Sequence, residues 1–163
     1  MSGTTQTFVK VAQHAVGGAG DVLVTLGLGS CVAIVLLDPD ARVGGLAHVL
    51  LPEPALSRDR DNPSKFASTA VPVLLDEMAA RGARRRRLTA RLAGGAAMFQ
   101  TLMVPGGLNM GERNVRAARA ALQAAGIPLL GEAVGGDYGR SVRFHVEAGR
   151  TVVSSVGRSD VVL

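Results

Sequence analysis

The longest apolar stretch of the chain covers residues 22–37, VLVTLGLGSCVAIVLL, and lies between Asp21 and Asp38. It falls short of the roughly 20 residues that a helical membrane span needs, and Thr25, Gly27, Gly29, Ser30 and Cys31 interrupt its middle. No membrane insertion is therefore expected. Residues 22–26 and 32–37 are rich in β-branched side chains and are divided by GLGSC, which predicts two buried strands around a tight loop. Upstream, residues 7–13 read as an opening strand and HAVGGAGD, residues 14–21, as a Gly-rich loop. Downstream, DPDARVGG is a turn by its Asp, Pro and Gly content, and it delivers the chain into a third strand over residues 45–51. Pro52 and Pro54 end that strand, and the polar loop SRDRDNPS follows.

Beyond this loop the apolar residues take up helical spacing. Asn62 and Pro63 form an N-cap and N1 signal, and Phe66, Val73, Leu74 and Met78 keep near-helical spacing until Gly82, which predicts the first helix. Pro72 lies inside it and predicts a kink or a break. Residues 88–93 form a short strand entering a close-packed Gly94-Gly95 turn. A second helix is predicted from Asn109, with Glu112 placed to complete a capping box. Its stripe is Val115, Ala118, Ala121, Leu122 and Ala125, and Gly126 with Pro128 terminates it. Strands over 129–134, 141–146 and 151–155 follow, the first two joined by GGDYGR. With no repeat, low-complexity tail or linker, residues 1–163 read as one α/β domain, two principal helices on a largely antiparallel sheet.

Composition narrows the class. At 47% hydrophobic residues the chain has material for a real core, which excludes a disordered or fibrous protein, and with only 3% aromatics that core must be aliphatic. A single Cys cannot form an internal disulfide and suits a reducing compartment. The first residues, MSGTTQTFVK, show no secretory signal, so a soluble cytoplasmic protein is expected. The net charge of +5 raises the question of nucleic acid. Six arginines fall in RGARRRRLTAR, residues 81–91, a run that reads as a solvated turn between elements. No aromatic lies between Phe66 and Phe99 to stack on bases, and no helix-turn-helix, finger or RNA-binding signature is present, so nucleic acid is not an expected partner.

Several chemistries fail on spacing. GLGSC offers Gly27 and Gly29 but Val32 where a dinucleotide fingerprint needs Gly, and no Lys follows as a nucleotide P-loop requires. Ser30 lacks the frame of a nucleophile elbow. His14, His48 and His145 with one Cys form no ligand pair at metal-binding spacing, so neither metal nor cofactor is expected. Cys31 with a histidine remains. A Cys in an apolar strand is ordinarily inert packing. Yet Cys31 stands where a Gly-Ser turn becomes a strand, and a strand pair joined by a turn of about eight residues brings His48 beside it. The imidazole is then placed to take the thiol proton, which gives the attacking thiolate. His14 and His145 read as surface or packing residues.

Ordered motifs carry a family resemblance. TLGLGSC at 25–31, GGLAHVLLP at 44–52, Gly94-Gly95-Ala96 with Met98-Phe99, GERN at 111–114 and GGDYGRSVRF at 135–144 together closely resemble the chemoreceptor glutamine deamidase family, CheD, over about residues 8–155. Phe66 stands where the family more often carries Tyr, and the Gly-rich loop near Gly17 is unusual. The resemblance implies a three-layer α/β domain similar to the catalytic domains of deamidating toxins. It also implies that Cys31 is the nucleophile, His48 the general base and Thr25 the hydroxyl residue that completes the site. The substrate implied is a protein glutamine on the cytoplasmic helices of methyl-accepting chemoreceptors, converted to glutamate through a thioester by a protein-glutamine glutaminase of bacterial chemotaxis. Backbone N–H groups near Ser30 and Cys31 are the candidate oxyanion donors. Receptor methylesterase activity is a second reaction of the same type, and the CheC phosphatase is an implied partner. The competing reading is a non-catalytic adaptor for receptors or for CheC, in which Cys31 serves only as core.

Overall fold

The computed structural model describes residues 4–98 and 109–163, so the Phe99 of the sequence motif lies outside the described residues. Among the described residues, ten strands form two five-stranded sheets. In chain order they are β1 (Thr5–Phe8), β2 (His14–Gly17), β3 (Asp21–Leu28), β4 (Val32–Asp38), β5 (Val43–Val49), β6 (Thr89–Gly94), β7 (Leu129–Val134), β8 (Arg140–His145), β9 (Arg150–Ser154) and β10 (Val161–Val162). One sheet has the order β1-β3-β8-β9-β10 and the other β2-β5-β4-β6-β7. Pairing is antiparallel except at β1/β3 and β6/β7. The two principal helices, α1 (Ala67–Ala79) and α2 (Met110–Ala125), pack on the second sheet, and α2 is the crossover between the parallel strands β6 and β7.

The apolar run predicted as two strands explains the layering. β4 is central in its sheet and buried along its whole length, because both its faces are covered. Val32, Ile34 and Leu36 join Leu74 and Met78 of α1 and Val115, Ala118 and Leu122 of α2 in one core. Cys31, Ala33, Val35 and Leu37 face the opposite way, into a second core with Leu23, Leu28, Val142 and Phe144 of the first sheet. The order is therefore helices, sheet, sheet, a single α/β domain of three layers. The strands on either side of GLGSC do not pair; β3 lies in one sheet and β4 in the other, so this loop bridges the layers.

Several local expectations are corrected. Residues 14–17 form strand β2 against β5 instead of the start of a loop, because β5 has an open edge there and Ala15 and Val16 pack against the two cores. The opening strand, Thr5–Phe8, is shorter and earlier than 7–13. Asn62 caps the 3-10 turn Pro63–Lys65, accepting from Ser64 N, and α1 begins only after the extended Phe66. Pro72 does not break α1, whose helix continues through it with Pro72 on the exposed side. The short strand β10 pairs with β9 beyond the last predicted strand. At Asn109 the side chain accepts from Glu112 N at 2.8 Å, which is the N-cap half of the capping box read from the sequence, and Gly126 ends α2.

The arginine run is an exposed turn between α1 and β6, as the sequence reads, with Arg81, Arg84, Arg85 and Arg86 exposed, and it also fastens neighbouring elements. Asp38, fully buried at the end of β4, accepts from the backbone N–H groups of Asp40, Ala41 and Arg84 and from the Arg87 guanidinium. Burial alone would raise its carboxyl, but Ala41, Arg84 and Arg87 more than offset this and hold it below its ordinary value. Arg81 donates to Val16 O, Arg85 to Ala125 O at the C-terminus of α2, and Arg91 to Thr89 Oγ1.

Candidate active site

The bridging loop and the strand pair β4/β5 build the site between the two sheets. Val32 pairs with Val49 and Ala33 with His48, so Cys31, one residue before the ladder, is the diagonal neighbour of His48 on the same sheet face. Thr25 reaches the same place from β3 of the opposing sheet. Thr25 and His48 are fully buried, and Cys31 keeps 8% of its surface exposed. Cys31 Sγ and His48 Nε2 are not hydrogen-bonded to each other; among the described residues Nε2 is buried without any partner.

The proton positions around His48 follow from the acceptors. Thr25 Oγ1 lies 2.6 Å from Val9 O and 2.6 Å from His48 Nδ1. A carbonyl only accepts, so the single hydroxyl proton of Thr25 goes to Val9 O, and Oγ1 accepts from Nδ1–H. The neutral imidazole is thereby held as the Nδ1–H tautomer, with the Nε2 lone pair bare, on a ring that shares its sheet face with Cys31. The N-terminal segment supports this arrangement: Ala12 N donates to His48 O and His48 N to Gln13 O, with Ala12 in the left-handed region at φ 63°. Burial pushes the Cys31 thiol up, partly offset by its own backbone N–H, and pushes His48 down to about 4. The resting pair is neutral on both sides.

The turn that carries Cys31 is held by all three of its carbonyls. Gly29 O accepts from Ala96 N, Ser30 O from the Asn114 side chain and Cys31 O from Gly95 N. Gly94 supplies the necessary closeness: at φ 110° a Cβ there would stand 2.2 Å from Cys31 O. Arg140, buried, donates to Gly94 O and Gly135 O and fixes that turn from behind. Because a trans peptide sets its N–H opposite its C=O, anchoring the carbonyls of Gly29 and Ser30 turns the N–H groups of Ser30 and Cys31 to the other side.

The other histidines stand apart. His14 pairs with Ala47 and so lies on the helix-facing side of the sheet, where its ring meets Ser64 Oγ and Glu77. His145 pairs with Val22, near the start of β3 and three residues before Thr25. Sequence reasoning gave no role to Asn114, although a signal existed: it is a polar residue on the buried stripe of α2, one turn before Ala118. No group of three or more metal-ligating side chains forms among the described residues.

The site thus brings a thiol and an imidazole of fixed tautomer to one sheet face, between the two sheets of an α/β sandwich. Comparison with known proteins makes the assignment specific. Residues 50–155 match the family model described as CheD chemotactic sensory transduction. A Thermotoga maritima protein named chemoreceptor glutamine deamidase CheD is 44% identical over 149 residues, 91% of each chain. A Caldanaerobacter subterraneus protein named probable chemoreceptor glutamine deamidase CheD is 44% identical over 91% of this chain and 92% of its own. One from Geobacter metallireducens, likewise named probable chemoreceptor glutamine deamidase, is 46% identical with the same coverage. The chain belongs to the CheD family. A crystal structure of a Neisseria meningitidis protein of family DUF152 shares the fold, with TM-score 0.50 and 12% identity over 82% of this chain, which spans 64% of that structure's length.

Proposed function

We propose that the chain deamidates specific glutamines of chemoreceptors, hydrolysing the side-chain amide to a carboxylate with Cys31 as nucleophile and His48 as base. The observation that carries this is the Thr25 hydroxyl, which leaves His48 Nε2 as a bare acceptor on the face shared with Cys31. The substrate class comes from the names of the relatives.

Sγ attacks the carboxamide carbon while its proton passes to Nε2. Since burial disfavours both the thiolate and the imidazolium, this transfer accompanies attack instead of preceding it, and the Sγ–Nε2 hydrogen bond, absent in the free protein, forms in the substrate complex. The N–H groups of Ser30 and Cys31 are the candidate donors to the developing oxyanion. His48 then gives its proton to the departing nitrogen; ammonia leaves and a thioester remains. Water, deprotonated by His48, attacks the thioester carbon, the C–S bond breaks, and glutamate and the free thiol result. A methyl-glutamate ester presents the same carbonyl with methanol as leaving group, so receptor methylesterase activity belongs to the same site.

Mass spectrometry of a purified receptor cytoplasmic fragment tests the reading. Wild type converts glutamine to glutamate, and Cys31→Ala or His48→Ala does not while remaining folded. If the substitutions leave conversion intact, the thiol is core and the chain acts as an adaptor.

A further inference from the structure

We propose that Asn114 is a positioning residue for this reaction: its amide, inserted at the open end of the β4/β5 ladder, sets the Ser30–Cys31 peptide and the spacing of the two strands that carry Cys31 and His48. The inference rests on the thiol-hydrolase reading of the site.

Asn114 is completely buried in the first turns of α2. Its Nδ2 donates to Ser30 O at 2.9 Å and to Leu50 O at 3.0 Å. Both acceptors are carbonyls, so the amide orientation is unambiguous: the nitrogen, with two hydrogens, faces them. Ser30 precedes the nucleophile and Leu50 is two residues past His48. In the register that pairs Val32 with Val49, Cys31 and Leu50 would be the next step. The ladder stops there, and the side chain of a helix in another layer ties the strands in its place.

Two consequences follow for the chemistry. Holding Ser30 O turns the next N–H, that of Cys31, toward its own Sγ, where it favours the thiolate, and toward the carbonyl that Sγ attacks. Holding Leu50 O in the same grip fixes how far the His48 strand lies from the Cys31 strand. The helix can sit this close because position 111 is Gly: a Cβ there would lie 2.5 Å from both Gly95 O and Ala96 O, the residues whose N–H groups hold Cys31 O and Gly29 O.

The test compares Asn114→Ala and Asn114→Ser with Leu122→Ala, which opens the same buried face of α2 away from the clamp. Two readouts are taken on protein matched for folded fraction by circular dichroism. One is the pH profile of Cys31 alkylation by iodoacetamide, which needs no substrate; the other is kcat and KM on a receptor fragment. Asn114→Ala is expected to move the alkylation midpoint to higher pH, slowing alkylation at neutral pH about tenfold for every whole pH step the midpoint climbs. It is also expected to lower kcat at least about tenfold with KM within about twofold. Asn114→Ser keeps a single donor and falls between, and it carries the comparison alone if the Ala variant does not fold. Leu122→Ala leaves both readouts near wild type at an equal or larger loss of melting temperature. Asn114 variants that match Leu122→Ala, or whose loss lies in KM, overturn the proposal. If wild type deamidates nothing, the functional reading fails separately, and the alkylation arm still decides the role of Asn114.

Discussion

At the residue scale the site turns on where the protons sit around one imidazole. Thr25→Val leaves Val9 O and His48 Nδ1 without their partner and frees the ring, so kcat is expected to fall about 10- to 100-fold, a share of the roughly 10²–10⁴ that a positioned base supplies. Thr25→Ser, which keeps the hydroxyl, restores most of it. Steady-state kinetics on the receptor fragment distinguishes the two. His48 also predicts a pH dependence of stability. Its folded value lies near 4 against 6.5 unfolded, so the unfolded chain binds the additional proton between these values. Stability is full above about pH 6.5 and declines as pH falls through 4, by a total approaching about 3 kcal/mol. Urea unfolding from pH 7 to 4 reads this slope, and His48→Gln flattens it.

At the element scale, two positions separate the site from the scaffold. Gly94→Ala would force a Cβ into Cys31 O and strain a residue at φ 110°, so it is expected to displace the nucleophile turn and remove activity along with stability. Asp38→Ala strands three backbone N–H groups and the Arg87 guanidinium at the far end of β4. It is expected to cost about 3 kcal/mol by thermal or urea unfolding, with kcat of the folded fraction unchanged. The elements were readable in the sequence where local chemistry decides them: the Asn109 cap and Gly126 stop of α2, the GLGSC break, the 129–134 strand. They were not readable where tertiary context decides. Strand β2 exists because β5 offers an edge, and α1 runs through Pro72 because its packed face lies on the other side. That β3 and β4 part into different sheets is a property of the layers, which no local pattern carries.

At the scale of the whole molecule, the candidate site is a product of all three layers. Thr25 comes from one sheet, Cys31 and His48 from the other, and the turn between them is held by α2. Cys31 and His48 were legible because a short turn joins their strands; Asn114, 84 residues from Ser30 in sequence, was not. The same view changes the meaning of the positive charge. Arg81, Arg85 and Arg87 donate to acceptors on β2, α2 and β4, so part of this exposed cluster fastens neighbouring elements. Neutralising Arg84 and Arg86 together is therefore expected to change receptor-fragment kcat/KM less than about threefold at roughly 0.15 M salt, where surface charges are largely screened; a larger, salt-sensitive loss would make the cluster a docking surface. The central claim is tested most directly by tandem mass spectrometry of a chemoreceptor cytoplasmic fragment after incubation with wild type or with Cys31→Ala. Conversion of defined glutamines to glutamate by wild type alone is the predicted result; conversion by both proteins, or by neither, contradicts it.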